Sequence, residues 1–219
     1  METKELKKSA ELIFKLADLK TQPSQINRRE LKKGEFNLSD VIKRIKSKKR
    51  KIEFIFWLIE NCEKARTTKM LEFFKTLNPT ADDVKRLIKN FKFAQTQEML
   101  EYFKSSKPSV NDVSWLIVKC QFAQTQEMLE FFKTLKPDVK EVRWLIEDCK
   151  FAQTQEMFEY FKSLGPNAID IKWLIESCQF AQTQDMLEFF KSLKPTLTDL
   201  TWLIRNCEFA KKNKNFLLK

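Results

Sequence analysis

Phe93–Gln121 reads FAQTQEMLEYFKSSKPSVNDVSWLIVKCQ, and the same pattern restarts at Phe122, Phe151 and Phe180, each time 29 residues on. A divergent copy begins at Lys64, a more degraded one near Glu35, and the chain closes on a half copy from Phe209. Self-similarity at a fixed period of this size marks a repeat architecture before any propensity is weighed. The columns are sharp. Trp57, Trp115, Trp144, Trp173 and Trp202 share one, with Arg86 in the gap. Cys62, Cys120, Cys149, Cys178 and Cys207 share a second, with Phe91 in the gap, and Pro79, Pro108, Pro137, Pro166 and Pro195 share a third.

Within a copy the signals describe two helices. Each proline is followed by a capping box, Thr80/Asp83, Ser109/Asp112, Asp138/Glu141, Asn167/Asp170 and Thr196/Asp199. The first residue accepts an orphan backbone N–H, and the acid reaches back to the cap. The spacing predicts helix A over about Val110–Cys120, with Val113, Leu116, Ile117 and Cys120 in phase, and helix B over about Thr125–Leu135, with Met128, Leu129, Phe132 and Leu135 inward. The apolar phase of helix A, run past Cys120, lands on Gln124 and Glu127, so a tight turn near Gln121–Gln124 separates the two. One such unit cannot bury its own apolar faces, whereas stacked units can. The expected fold is therefore all-α: an α-solenoid of about six antiparallel two-helix repeats behind an N-terminal helix. The expected boundaries are 1–34 for an amphipathic helix (Leu6, Ala10, Ile13, Leu16, Ala17) and basic connector, and 35–219 for the solenoid. The solenoid divides into degenerate repeats 35–92, regular repeats 93–208 and a capping half-repeat 209–219. In the most degraded copy the basic stretch Lys46–Lys51 stands where the others have the proline turn.

The string MLEFFKTLKPDVKEVRWLIEDC, Met128–Cys149, resembles two known helical repeats. Its paired antiparallel helices and apolar LEFF stretch resemble the ankyrin repeat, without that family's TPLH start or its central glycine. The acidic cap between two helices also resembles the mitochondrial transcription termination factor repeat, without the proline that follows that family's second helix. Both resemblances cover residues 64–208 and imply a stack of helix pairs.

Composition narrows the function. The 219 residues include two glycines, six prolines and no histidine, which removes phosphate-cradling glycine loops, the commonest general base and the commonest metal ligand. Neither a catalytic constellation nor a cofactor or small-molecule site is expected. The cysteines, one per helix A, read as small core residues and not as zinc ligands or a disulfide framework. That points to a reducing compartment, cytoplasm or nucleus. No run of about 18 apolar residues is present, so no membrane partner is expected.

Three features offer recognition. On a helical wheel Trp115 lies about 150° from the mean direction of Val113, Leu116, Ile117 and Cys120. The tryptophan column is then either an exposed aromatic ladder, which stacks bases or anchors a protein, or the seal between neighbouring copies. Arg86 in the same column favours solvent contact there, because a closed apolar seam would strand its charge. Next, three helix A columns vary from copy to copy: Lys85/Ser114/Arg143/Lys172/Thr201, Lys89/Val118/Glu147/Glu176/Arg205 and Lys92/Gln121/Lys150/Gln179/Glu208. They form either a recognition stripe, with Arg143 and Lys172 as members, or a drifting solvated face. Third, charge is segregated: residues 1–93 carry net +11, 94–208 carry −4 and the tail +4. Lys48, Lys49, Arg50 and Lys51, preceded by Lys43, Arg44 and Lys46, read as a nuclear-localisation patch, a phosphate-contacting turn or a solvated loop. The function expected from these features is a non-enzymatic scaffold that binds another protein through the helix A face. The alternative is an RNA- or single-stranded-nucleic-acid-binding solenoid that uses the Trp/Arg ladder and the basic N-terminal region.

Overall fold

Helix initiation and termination in this chain are written into the turns, and the computed structural model shows how. It describes residues 45, 47–61 and 65–218. The helix and connector assigned to residues 1–34, and Cys62, lie outside the described residues. Among the described residues the chain is all-helical, with no strand. It divides into two compact units, Met1–Ser106 and Lys107–Lys219. The first contains α1 (Lys48–Asn61), α2 (Thr68–Thr76), α3 (Ala81–Asn90) and α4 (Gln97–Ser105). The second contains α5 (Val110–Lys119), α6 (Gln126–Thr134), α7 (Val139–Asp148), α8 (Gln155–Ser163), α9 (Ala168–Ser177), α10 (Gln184–Ser192), α11 (Leu197–Asn206), α12 (Glu208–Lys212) and α13 (Lys214–Leu217). Odd-numbered helices up to α11 occupy helix A positions, and even-numbered helices up to α10 occupy helix B positions.

Every capping box from Thr80 to Thr196 forms with both of its hydrogen bonds. Helix A stops one residue earlier than the spacing predicts: Cys120 is its C-cap, with φ −132 and ψ 105. A short 3-10 turn, Gln121–Ala123, then delivers the chain to Thr125, which caps helix B.

The recurrent Gln-Thr-Gln has a local cause. The last carbonyls of a helix lack intrahelical partners. Gln95, Gln124, Gln153 and Gln182 each reach back seven residues and donate Nε2–H to the carbonyl of Ile88, Ile117, Ile146 and Ile175, at 3.1–3.2 Å. The threonine Oγ1 accepts the N–H of the methionine three residues on, at 3.2–3.3 Å. The second glutamine donates to the glutamate four residues on. In the divergent copy Arg66 takes the first glutamine's column, and its Nε donates to Ile59 O at 2.9 Å. The residue changes but the bond stays.

The proline turns carry the opposite lesson. The residue before each proline is left-handed: Asn78, Lys107, Lys136 and Lys194 at φ 48 to 57, and Gly165 at φ 69. A Cβ at that φ is strained, and only glycine takes it without steric cost. Lys136→Gly is therefore expected to stabilise the protein by about 0.5–1 kcal/mol, read as a raised urea midpoint. A lowered midpoint would mean that the lysine side chain contributes more than its backbone strain.

In the second unit α5, α7, α9 and α11 pack each on the next, and α5, α7 and α9 each pack on the B helix that follows. The fully buried set recurs: Val142, Leu145 and Ile146 from helix A, Met157 and Phe161 from helix B, and Ala152 in the turn. Cys120, Cys149, Cys178 and Cys207 are buried free thiols, and burial pushes the Cys178 thiol up. Leu135, expected inward, is only half-buried because it is the C-cap of α6. Successive B helices meet through side chains. Lys133 Nζ bridges Glu130 and Glu156 and lies 5.7 Å from the centre of the Tyr160 ring.

In the first unit α3 packs on α4, and the Phe56 ring meets Phe74 edge-on at 5.9 Å. Here α1 departs from the other A helices. Residues 52–61 align with 81–90, so Lys48–Lys51 occupies the columns of the proline turn Leu77–Thr80. The stretch is not a loop but an added helical turn. Lysine and arginine are good helix formers, and no proline interrupts them.

Candidate functional site

The A helices carry the features that distinguish one copy from another. Their tryptophans sit at intermediate depth: Trp57, Trp115, Trp144 and Trp202 are half-buried, and Trp173 is 43% exposed. Trp173 and Trp202 meet edge to face, centroids 4.9 Å apart at 61°. Here the rungs seal against each other and still reach solvent. In the first unit Trp57 stacks along Phe54 at 6.2 Å. Arg86 is exposed, its guanidinium 4.1 Å above the Phe56 ring and 3.3 Å from Glu60 Oε1, so its charge is paired and wet.

Arg143 and Lys172 sit differently. Arg143 Nη1 lies 3.6 Å from Asp170 Oδ1, and Lys172 Nζ lies 2.7 Å from Asp199 Oδ1. Asp170 and Asp199 are the capping acids of the next A helix, and each uses its other oxygen, Oδ2, for its own cap. At these two positions the column ties one A helix to the cap of its successor. Lys172 also lies 4.9 Å from the centre of the Trp202 ring, and Ser114, in the same column, is buried with its hydroxyl donating to Asn111 O. Among the second variable column, Glu147 and Glu176 are half-buried. Burial raises the Glu176 pKa, Lys172 opposes the rise, and Glu147 adds to it.

The exposed, variable positions lie four residues either side of the tryptophan column. Asp82, Asn111, Lys140, Ile169 and Thr198 precede it; Asn90, Lys119, Asp148, Ser177 and Asn206 follow it, and every one is exposed. Spacing of four keeps all three columns on one helix face. Variability alone picks out the columns of Arg143 and Glu147, whereas spacing from the tryptophan finds this one. On α9 the stripe turns apolar: Ile169 is 51% and Trp173 43% exposed, and Phe180 just beyond the helix is 46% exposed. Leu197, at the start of α11, is 72% exposed.

The Lys172–Asp199 pair gives a pH test. Its hydrogen bond to Lys172 comes first, and then that to Thr196, in holding the Asp199 carboxyl below its usual range, against burial. A depressed carboxylate adds stability above its unfolded pKa, and that stability is lost as pH falls through the folded value. Lys172→Met removes the main cause. The wild-type advantage over Lys172→Met is expected to shrink as urea midpoints are followed from about pH 5 to about pH 2. An advantage constant across that window would show that the pair is not coupled to folding.

Lys48 and Lys49 are exposed, and Arg50 and Lys51 are half-buried. Among the described residues no cluster of His, Cys, Asp and Glu could hold a metal ion, and no helix is long and apolar enough to cross a membrane. Comparison with family models, with curated proteins and with solved structures finds no match.

Proposed function

We propose that this chain is a non-enzymatic solenoid of stacked two-helix repeats that binds another protein through the outer stripe of its A helices. The observation that carries the reading is the pairing of a constant, part-exposed tryptophan with two exposed positions that differ from copy to copy. A constant aromatic supplies apolar area, and the flanking variation supplies selectivity. The capping acids and the Gln-Thr-Gln turn keep helix A at a fixed depth, so the stripe is presented by rigid elements. The alternative, in which bases of a single strand stack between tryptophans, fits less well at α9 and α11. A base needs a slot about 7 Å wide between parallel rings, roughly twice the ~3.5 Å contact distance of stacked atoms, and the Trp173–Trp202 edge contact leaves no such slot. A reducing, cytoplasmic or nuclear setting suits the buried free thiols.

The test is capture from a cell extract by the wild type and by the double variant Ile169→Asp/Trp173→Ala. Proteins retained by the wild type are expected to be lost with the variant while its melting temperature stays close to the parent's. Retention of the same proteins would place recognition elsewhere.

A further inference from the structure

We propose that the added turn of α1, Lys48–Lys51, is a contact site for the phosphate backbone of nucleic acid, bound without sequence selection. The argument begins with what the turn replaces. In the later copies the segment before helix A is a left-handed residue, a proline and a capping box. In α1 it is one further helical turn made only of cations, about 6 Å of extra helix. Side chains on successive helical residues are about 100° apart, so four of them point all round the axis. That geometry is poorly suited to one flat protein interface, where charges must converge on matched partners. It is well suited to a polyanion that presents charge along its length.

The three lysines of the turn are also uncommitted. Lys48, Lys49 and Lys51 form no ion pair among the described residues, unlike Lys133, Arg143, Lys162 and Lys172, each of which meets a carboxylate. The surrounding sequence adds Lys43, Arg44 and Lys46, with no acid between residues 41 and 52. Nor does the turn suit its own helix: cations at a helix N-terminus oppose the macrodipole, and a bound anion relieves that conflict. The turn holds no Asn, Gln or aromatic residue that could read or stack a base, so selectivity for sequence is not expected. This site is independent of the tryptophan stripe, and either can fail without the other.

The experiment uses the full chain and a fluorescein-labelled DNA duplex of about 20 base pairs, followed by anisotropy at several KCl concentrations between about 50 and 200 mM. Wild type is expected to bind with an affinity that falls steeply with salt. The variant Lys48→Gln/Lys49→Gln/Lys51→Gln is expected to bind at least about tenfold more weakly, with a log–log salt slope shallower by roughly 2 to 3, about 0.9 per lost phosphate contact. The triple arginine variant, which keeps charge and helix, is expected to bind as wild type. An unchanged slope in the glutamine variant overturns the proposal, as does the absence of wild-type binding at the lowest salt. Equal wild-type affinity for poly-glutamate of matched charge would assign the turn to an acidic protein and overturn it as well.

Discussion

Phe161→Ala is expected to lower stability by about 3–5 kcal/mol. Phe161 is fully buried in α8, and its column holds Phe74, Phe103, Phe132 and Phe190, all equally buried. Truncation removes the ring from water-free contact and leaves a cavity that neighbouring helices cannot close, because each is pinned by its own caps. Where A helices pack each on the next, as α5, α7, α9 and α11 do, a weak joint in the middle also broadens the unfolding transition. Urea unfolding followed by far-UV circular dichroism and by tryptophan fluorescence tests both points. The two probes are expected to part company in the variant. Leu197→Ala, at a position 72% exposed, is the control and is expected to change little. A loss below about 1 kcal/mol for Phe161→Ala would mean that the column is not core.

The second large effect concerns binding. Ile169→Asp/Trp173→Ala is expected to weaken the partner captured by the wild type at least about thirtyfold, the equivalent of a 2 kcal/mol hot spot. Ile169 is 51% and Trp173 43% exposed in the free chain, so close to half of their area is available to a partner. The fold loses less by comparison. Trp173 gives up its edge contact with Trp202, worth about 1 kcal/mol beyond the area it buries, and Ile169 gives up only its buried half. A fall in melting temperature with binding intact would identify the column as a seam between helices.

Much of the local architecture was legible because its signals are periodic or short-range. The capping boxes span three residues, and all five formed as written. The failing apolar phase marks the turn after helix A, though the residue types do not reveal its 3-10 geometry or the back-bond from Gln124 to Ile117. The variable column of Arg143 and Lys172 was harder. Variation along a sequence does not encode depth, and the partner acids lie 27 residues away on the next A helix. Lys48–Lys51 was hard for another reason. A run of cations reads equally as loop or helix, and what decided it was the absence of the proline found in the other copies.

Asp170 and Asp199 each serve two helices, one carboxylate oxygen holding their own cap and the other facing a cation on the helix before. That division has an evolutionary consequence. A segment copied in tandem brings its capping acid with it, so it arrives already able to grip whatever basic residue precedes it. No second mutation is needed to make the new junction. Lengthening behind α7 or α9 therefore needs no ill-fitting intermediate, whereas behind α5, where Ser114 holds that column, Glu141 has its own cap to serve and no basic residue to grip.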